Sequence, residues 1–163
     1  MSRAFVKEDG PDTVPLPDLP ISPHPNYVTP RGLAALRDRL AALRVELARL
    51  KARTDRLDTL PEKAAERDIR YVEARLASAI PVDPAAQPAG TVAFGARVTV
   101  ADDAGAEAVY EIVGEDEADA GLGRIAPQSP LARALLGAEV GDTVEWRRPA
   151  GKVTLEITAI RYG

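Results

Sequence analysis

Two heptad seams in series constrain this chain more than any other feature. Leu33, Leu36, Leu40, Leu43, Leu47 and Leu50 step by 3, 4, 3, 4, 3, with Leu57 a further heptad on. Ile69, Val72, Leu76 and Ala79 repeat the pattern as 3, 4, 3. Between the seams, Thr59-Leu60-Pro61-Glu62 reads as a helix start, with a T-x-x-E capping box and a proline that a helix interior excludes. Two apolar seams so joined bury each other as an antiparallel coiled-coil hairpin over residues 29–80. The competing reading, two helices of an ordinary bundle, lacks a third amphipathic helix to complete it.

The helix boundaries follow from the flanking chemistry. Thr29 is placed to cap the first helix, with Pro30 at the tolerated first position. That helix is expected to end between residues 53 and 58, and its partner to run from about 61 to 80, stopped by Pro81. The midpoint of the hairpin puts the turn at residue 55, whereas the capping box puts it nearer 59. Residues 81–90, with Pro84 and Pro88, read as a stiff linker. Seven of the 14 prolines fall in residues 1–30, so residues 1–28 are expected to be an unstructured proline-rich tail, or alternatively a peptide ligand for a partner.

From Thr91 the apolar period becomes 2. Val92, Phe94, Val98 and Val100 read as strand, Asp102-Asp103-Ala104-Gly105 as a turn, and residues 109–113 as the returning strand. An acidic loop, Glu115-Asp116-Glu117-Ala118-Asp119, leads to a short strand near Ile125. Ser129 and Pro130 open a short helix over residues 131–136 that Gly137 closes. Two strands follow, near 143–147 and 153–161. The expectation for residues 91–163 is an α+β domain of mostly antiparallel strands with one short helix.

Composition narrows the chemistry. The chain has no cysteine and one histidine, His24, which excludes disulfides, cysteine nucleophiles and histidine metal clusters. Residues 1–9 contain no apolar signal region and no apolar run approaches 18 residues, so a cytoplasmic protein with no membrane partner is expected. The net charge of −4 hides an asymmetry: residues 31–60 carry 8 basic and 4 acidic groups, residues 81–163 carry 7 and 13. A basic first helix can track phosphates, but a solvated face explains it equally, and no aromatic interleaves with the arginines to stack on bases.

The order of parts resembles the Gre family of bacterial transcription elongation factors, which pair a coiled-coil hairpin with an FKBP-like domain. The resemblance is carried by Tyr27-Val28-Thr29-Pro30-Arg31-Gly32, Phe94-Gly95-Ala96 and the segment Ile112-Val113-Gly114 with the acidic loop after it. It continues in Ser129-Pro130-Leu131-Ala132-Arg133-Ala134-Leu135-Leu136-Gly137, Val140-Gly141-Asp142, Pro149-Ala150-Gly151 and Ile160-Arg161-Tyr162. It implies that the partner is bacterial RNA polymerase, that the FKBP-like domain docks on the rim of the secondary channel, and that the hairpin enters it. Nucleic acid would be near without being the direct ligand. Ser129, Pro130, Arg133, Asp116 and Glu117 are the docking candidates. The family's tip motif, Gly-Asp-x-x-Glu-Asn-Ala, brings two carboxylates to the polymerase magnesium, so that the polymerase cleaves backtracked RNA; the factor needs no cofactor, metal or active site of its own.

That tip motif is absent here. Asp55 and Asp58 are the nearest candidates, and an i, i+3 spacing would put them on one side of a helical turn. The alternative is that Asp58 caps a helix and Asp55 is solvated. Each arm is also about one heptad shorter than in the family, roughly 10 Å of reach at 1.5 Å per residue. In this the chain resembles the related regulator of nucleoside diphosphate kinase. The expectation is a polymerase-binding regulator without efficient cleavage stimulation. A true cleavage factor using Asp55 and Asp58, a prolyl isomerase and a coiled-coil scaffold are the competing readings.

Overall fold

The computed structural model describes residues 14–163, which divide into two compact units. Residues 14–23 with Arg37–Ala77 make a helical unit; His24–Leu36 with Ser78–Gly163 make a β unit.

The helical unit is built from helix α1, Pro30–Lys51, whose first two turns belong to the β unit, and helix α2, Leu60–Ser78. Leu40 and Leu50 of α1 and Ala65 and Val72 of α2 are buried, and Leu43, Leu47, Ile69 and Leu76 are half-buried, so both seams face inward. Ion pairs join the helices at Arg44–Glu73 (3.3 Å) and Lys51–Glu66 (3.5 Å), and the Arg39 guanidinium lies 5.8 Å from the centre of the Tyr71 ring. The pairing of late α1 with early α2 makes the hairpin antiparallel.

Two details of the seams differ from expectation. Leu57 is 94% exposed, because α1 stops at Lys51. The Arg53 amide bonds back only three residues, to Leu50 O, and the Arg53 side chain donates to Leu50 O and to Asp58 O. Asp55 then turns the chain away by accepting from the Leu57 amide, the local competition that makes aspartate a poor helix interior residue. On α2 the buried stripe begins earlier than expected, at Glu62 and Ala65, and includes Arg75 in place of Leu76. Ala79 lies beyond the helix.

Of the proline-rich tail expected over residues 1–28, residues 1–13 lie outside the described residues. The remainder is ordered rather than unstructured. Residues 14–23 are an extended segment along α2: the Arg70 guanidinium donates to Asp18 Oδ1 (2.6 Å) and to Leu16 O (2.8 Å).

In the β unit, Asn26 is buried and strand β1, Tyr27–Val28, pairs in parallel with β2, Ile80–Pro81. The expected linker therefore begins with a strand, and continues as a 3-10 turn, Pro84–Ala86, that Asp83 caps through the Ala85 amide. A five-stranded sheet follows in the order β5-β4-β3-β7-β6, with β3 Arg97–Ala101, β4 Glu107–Ile112, β5 Arg124–Ile125, β6 Thr143–Arg148 and β7 Gly151–Arg161. Only β4–β5 is parallel. Val98 and Val100 from β3 and Leu155 and Ile157 from β7 point to one face, where Leu131, Ala132 and Leu135 of helix α3, Pro130–Leu135, cover them. Val92 and Phe94 contribute apolar bulk without forming a strand. Gly95 turns the chain there with φ +87°, a conformation that favours glycine, and Val92 exchanges main-chain bonds with Gly137 and Ala138.

Candidate partner-binding surfaces

Three places in the structure hold the residues that the sequence singles out. The first is the connection between α1 and α2. Asp55 and Asp58 both lie in it, outside any helix, so helical i, i+3 spacing does not govern them. Asp55 Oδ1 accepts from the Leu57 amide (3.1 Å), and Asp58 Oδ1 accepts from the Leu60 amide at the start of α2 (2.9 Å). The third nearby carboxylate, Glu62, is buried, and both its oxygens receive the Arg56 guanidinium, with Arg53 at 3.5 Å. The Arg56 hydrogen bonds outweigh the cost of burial and hold the Glu62 carboxyl below its ordinary range. Leu57 and Leu60 are exposed beside them. Residues 51–63 thus carry four cations against three carboxylates.

The second place is α3. Ser129 is its N-cap: the hydroxyl donates to Ala126 O (2.8 Å) and accepts from the Ala132 amide (3.3 Å). Pro130 occupies the first helical position and is exposed, as is Arg133. Leu136 and Val140 follow in the sequence at 39% and 54% exposure.

The third place is the acidic loop, and here the two candidates separate. Asp116 is exposed. Glu117 turns inward with its side chain only 7% exposed, and its carboxylate accepts from the Thr29 hydroxyl and from Arg31 Nε (2.6 Å). Arg31 reaches on to Glu111 (2.6 Å), which also faces Arg97 at 3.6 Å. Burial opposes the charge on Arg31, but the two carboxylates more than compensate and raise its pKa. Thr29 Oγ1 meanwhile caps the Gly32 amide (3.0 Å). Glu117 is therefore an internal anchor for the first turn of α1. Sequence reasoning missed Arg31 and Glu111 in this network. The available signal was Gly32: a glycine in the first turn of a helix pattern marks close approach, and a Cβ there would lie 2.7 Å from Glu117 Oε1.

A groove of about 200 Å³ beside this network is lined by Thr29, Pro30, Arg31, Pro84, Gly95, Arg97, Glu111 and Gly163, with no aromatic side chain among them. Among the described residues no group of three or more histidine, aspartate or glutamate side chains could hold a metal, and no helix is long and apolar enough to cross a membrane.

Residues 87–162 match the family described as "Transcription elongation factor, GreA/GreB, C-term". The chain is 48% identical over 99 residues to the transcription elongation factor GreA of Alkalilimnicola ehrlichii, and 44% identical over 99 residues to that of Thioalkalivibrio sulfidiphilus; each match covers 60% of this chain and 63% of the relative. The chain thus spans under two thirds of the length of the relatives it matches. The crystal structure of GreA factor homolog 1 of Thermus thermophilus aligns over 85% of this chain and 99% of its own, at 24% identity and a TM-score of 0.41. Residues 87–162 are thus similar to the C-terminal domain of the GreA/GreB transcription elongation factors.

Proposed function

We propose that this chain binds bacterial RNA polymerase through its β unit, places its helical hairpin in the secondary channel, and does not stimulate RNA cleavage efficiently. The relatives are named as elongation factors, and polymerase is the partner that such a role requires. Docking falls to the exposed Pro130 and Arg133 of α3 and to the exposed Leu136 and Val140 that follow it in sequence, with Asp116 as an acidic contact elsewhere on the unit.

The observation that carries the cleavage part is the state of the tip carboxylates. Asp55 and Asp58 each hold a main-chain amide of the turn, and Glu62 is taken up by Arg56. Each aspartate commits one oxygen to the turn, which fixes its orientation there, and four nearby cations oppose the approach of a magnesium ion. The chain supplies no active site or cofactor; any cleavage chemistry is the polymerase's own. Occupying the channel without completing the metal site makes it a competitor of factors that do.

The second reading, cleavage stimulation by Asp55 and Asp58, is favoured by one fact: both carboxylates stand in the same short connection. Prolyl isomerase activity finds no support in a 200 Å³ groove without aromatic lining. The test is RNA cleavage in a backtracked polymerase complex, wild type beside Asp55→Asn/Asp58→Asn, together with polymerase pull-down. Binding with little cleavage by either protein is expected. Strong cleavage by wild type that the double substitution abolishes would overturn the proposal in favour of the second reading.

A further inference from the structure

The segment 14–23 repeats every three residues. Leu16, Leu19 and Ser22 are half-buried, while Pro17, Pro20 and Pro23 are exposed. Three residues per turn is the period of a polyproline II helix, so one edge of the segment faces the helical unit and a proline edge faces solvent. Proline suits such a strap twice over. It removes amides that would otherwise need partners, and it stiffens the chain, so that little conformational entropy is lost on seating.

The segment follows α2 in a fixed direction. Val14, Pro15 and Leu16 share a cavity with Leu57, Leu60 and Lys63 at the hairpin tip. Asp18, Leu19 and Ile21 share another with Arg70, Tyr71 and Ala74. Two polar contacts of the strap fall on one side chain: Arg70 donates through Nε to Asp18 and through a terminal nitrogen to Leu16 O. Arg70 is 38% exposed and Asp18 75%, so this grip is open to water and easily exchanged.

We propose that residues 14–23 form a detachable strap, latched to α2 by Arg70, that switches the hairpin between a covered and an uncovered state. Seated, the strap broadens the hairpin and covers part of the α2 surface around Arg70 and Tyr71. Released, it exposes that surface. The helices themselves persist in either state, since their seams face each other rather than the strap.

The chain has no cysteine, so a pair of spin labels can be placed without interference. Labels at Pro20→Cys on the strap and Ala77→Cys on α2 report the distance between them by pulsed electron resonance in the otherwise intact chain. A single narrow distribution is expected. Arg70→Gln should add a broad population, with the seated-to-released ratio falling about three- to tenfold. Asp18→Asn, which leaves α2 untouched, should move it the same way, and exchanging the charges as Asp18→Arg/Arg70→Asp should partly restore it. A narrow distribution that survives both single substitutions, or a broad one already present without them, would overturn the inference. Polymerase plays no part in this measurement, so it stands or falls apart from the function proposed above.

Discussion

The hydroxyl of Thr29 donates to the carboxylate of Glu117, 88 residues further along the chain. One threonine thereby caps the first turn of α1 and ties it to the acidic loop, while Arg31 clamps the other oxygen of the same carboxylate. Replacing Glu117 with alanine leaves a hydroxyl and part of a guanidinium without their acceptor. A loss of roughly 1–3 kcal/mol in chemical denaturation is expected. Gly32→Ala should also destabilise, although alanine is the better helix former, because its Cβ would meet a carboxylate pinned from two sides.

Gly114 offers a sharper steric test. A Cβ there would approach Tyr27 O to 2.6 Å, and that oxygen belongs to main chain that cannot swing aside. Gly114→Ala should cost about 1–3 kcal/mol, the usual range for overpacking a closed site. A melting temperature unchanged from wild type would mean that β1 is free to shift.

The end of α1 can be checked by a contrast of two leucines in the same heptad register. Leu50 is 6% exposed, so Leu50→Ala should lose about 2–5 kcal/mol. Leu57 is 94% exposed, and Leu57→Ser should stay within about 0.5 kcal/mol of wild type. Equal losses at the two positions would show that the seam continues to Leu57.

Acid should loosen the hairpin through Glu62. Its carboxyl is held below the ordinary value of 4.5 chiefly by the Arg56 hydrogen bonds, so the folded state binds fewer protons there than the unfolded chain. The stabilisation is complete above 4.5, fades as the pH falls below it, and is lost once the lowered folded value is passed. The gap in melting temperature between wild type and Glu62→Gln should therefore be widest near neutrality and close once the pH falls below the lowered folded value. A gap that persists there would point to a packing role instead.

The docking proposal predicts that Arg133→Glu weakens polymerase capture at least tenfold with the fold intact, since a buried charge contact at an interface is worth a few kcal/mol when reversed. The exposed position of Arg133 makes the fold insensitive to the change. Undiminished capture would move the interface away from α3.

Much of this architecture could be read from periodicity. The heptad steps located both helices, and alternation located β3, β4, β6 and β7. The Ser129-Pro130 start and the Gly137 stop of α3 needed only capping chemistry. What escaped was set by partners distant in sequence. Leu57 kept the heptad spacing, but Arg53 and Asp55 ended the helix by side-chain bonds to the main chain that no periodicity records. Glu117 read with Asp116 as a docking candidate of the acidic loop, but Thr29 and Arg31 take up its carboxylate. Proline spacing argued against helix in residues 14–23 and was right in that, yet a chain without helix is not a chain without a seat. The two leucines three residues apart, Leu16 and Leu19, were the overlooked signal.

The short parallel pair β1–β2, with Tyr27 opposite Ile80 and Val28 opposite Pro81, closes the chain on itself at the foot of the hairpin. Everything between those strands is an excursion that leaves the β unit and returns to it. An excursion so fastened can gain or lose whole heptads in matched pairs while the gate that launches it stays shut. Arm length is thus an adjustable dimension, open to evolution and to engineering, and separable from the fold of the β unit.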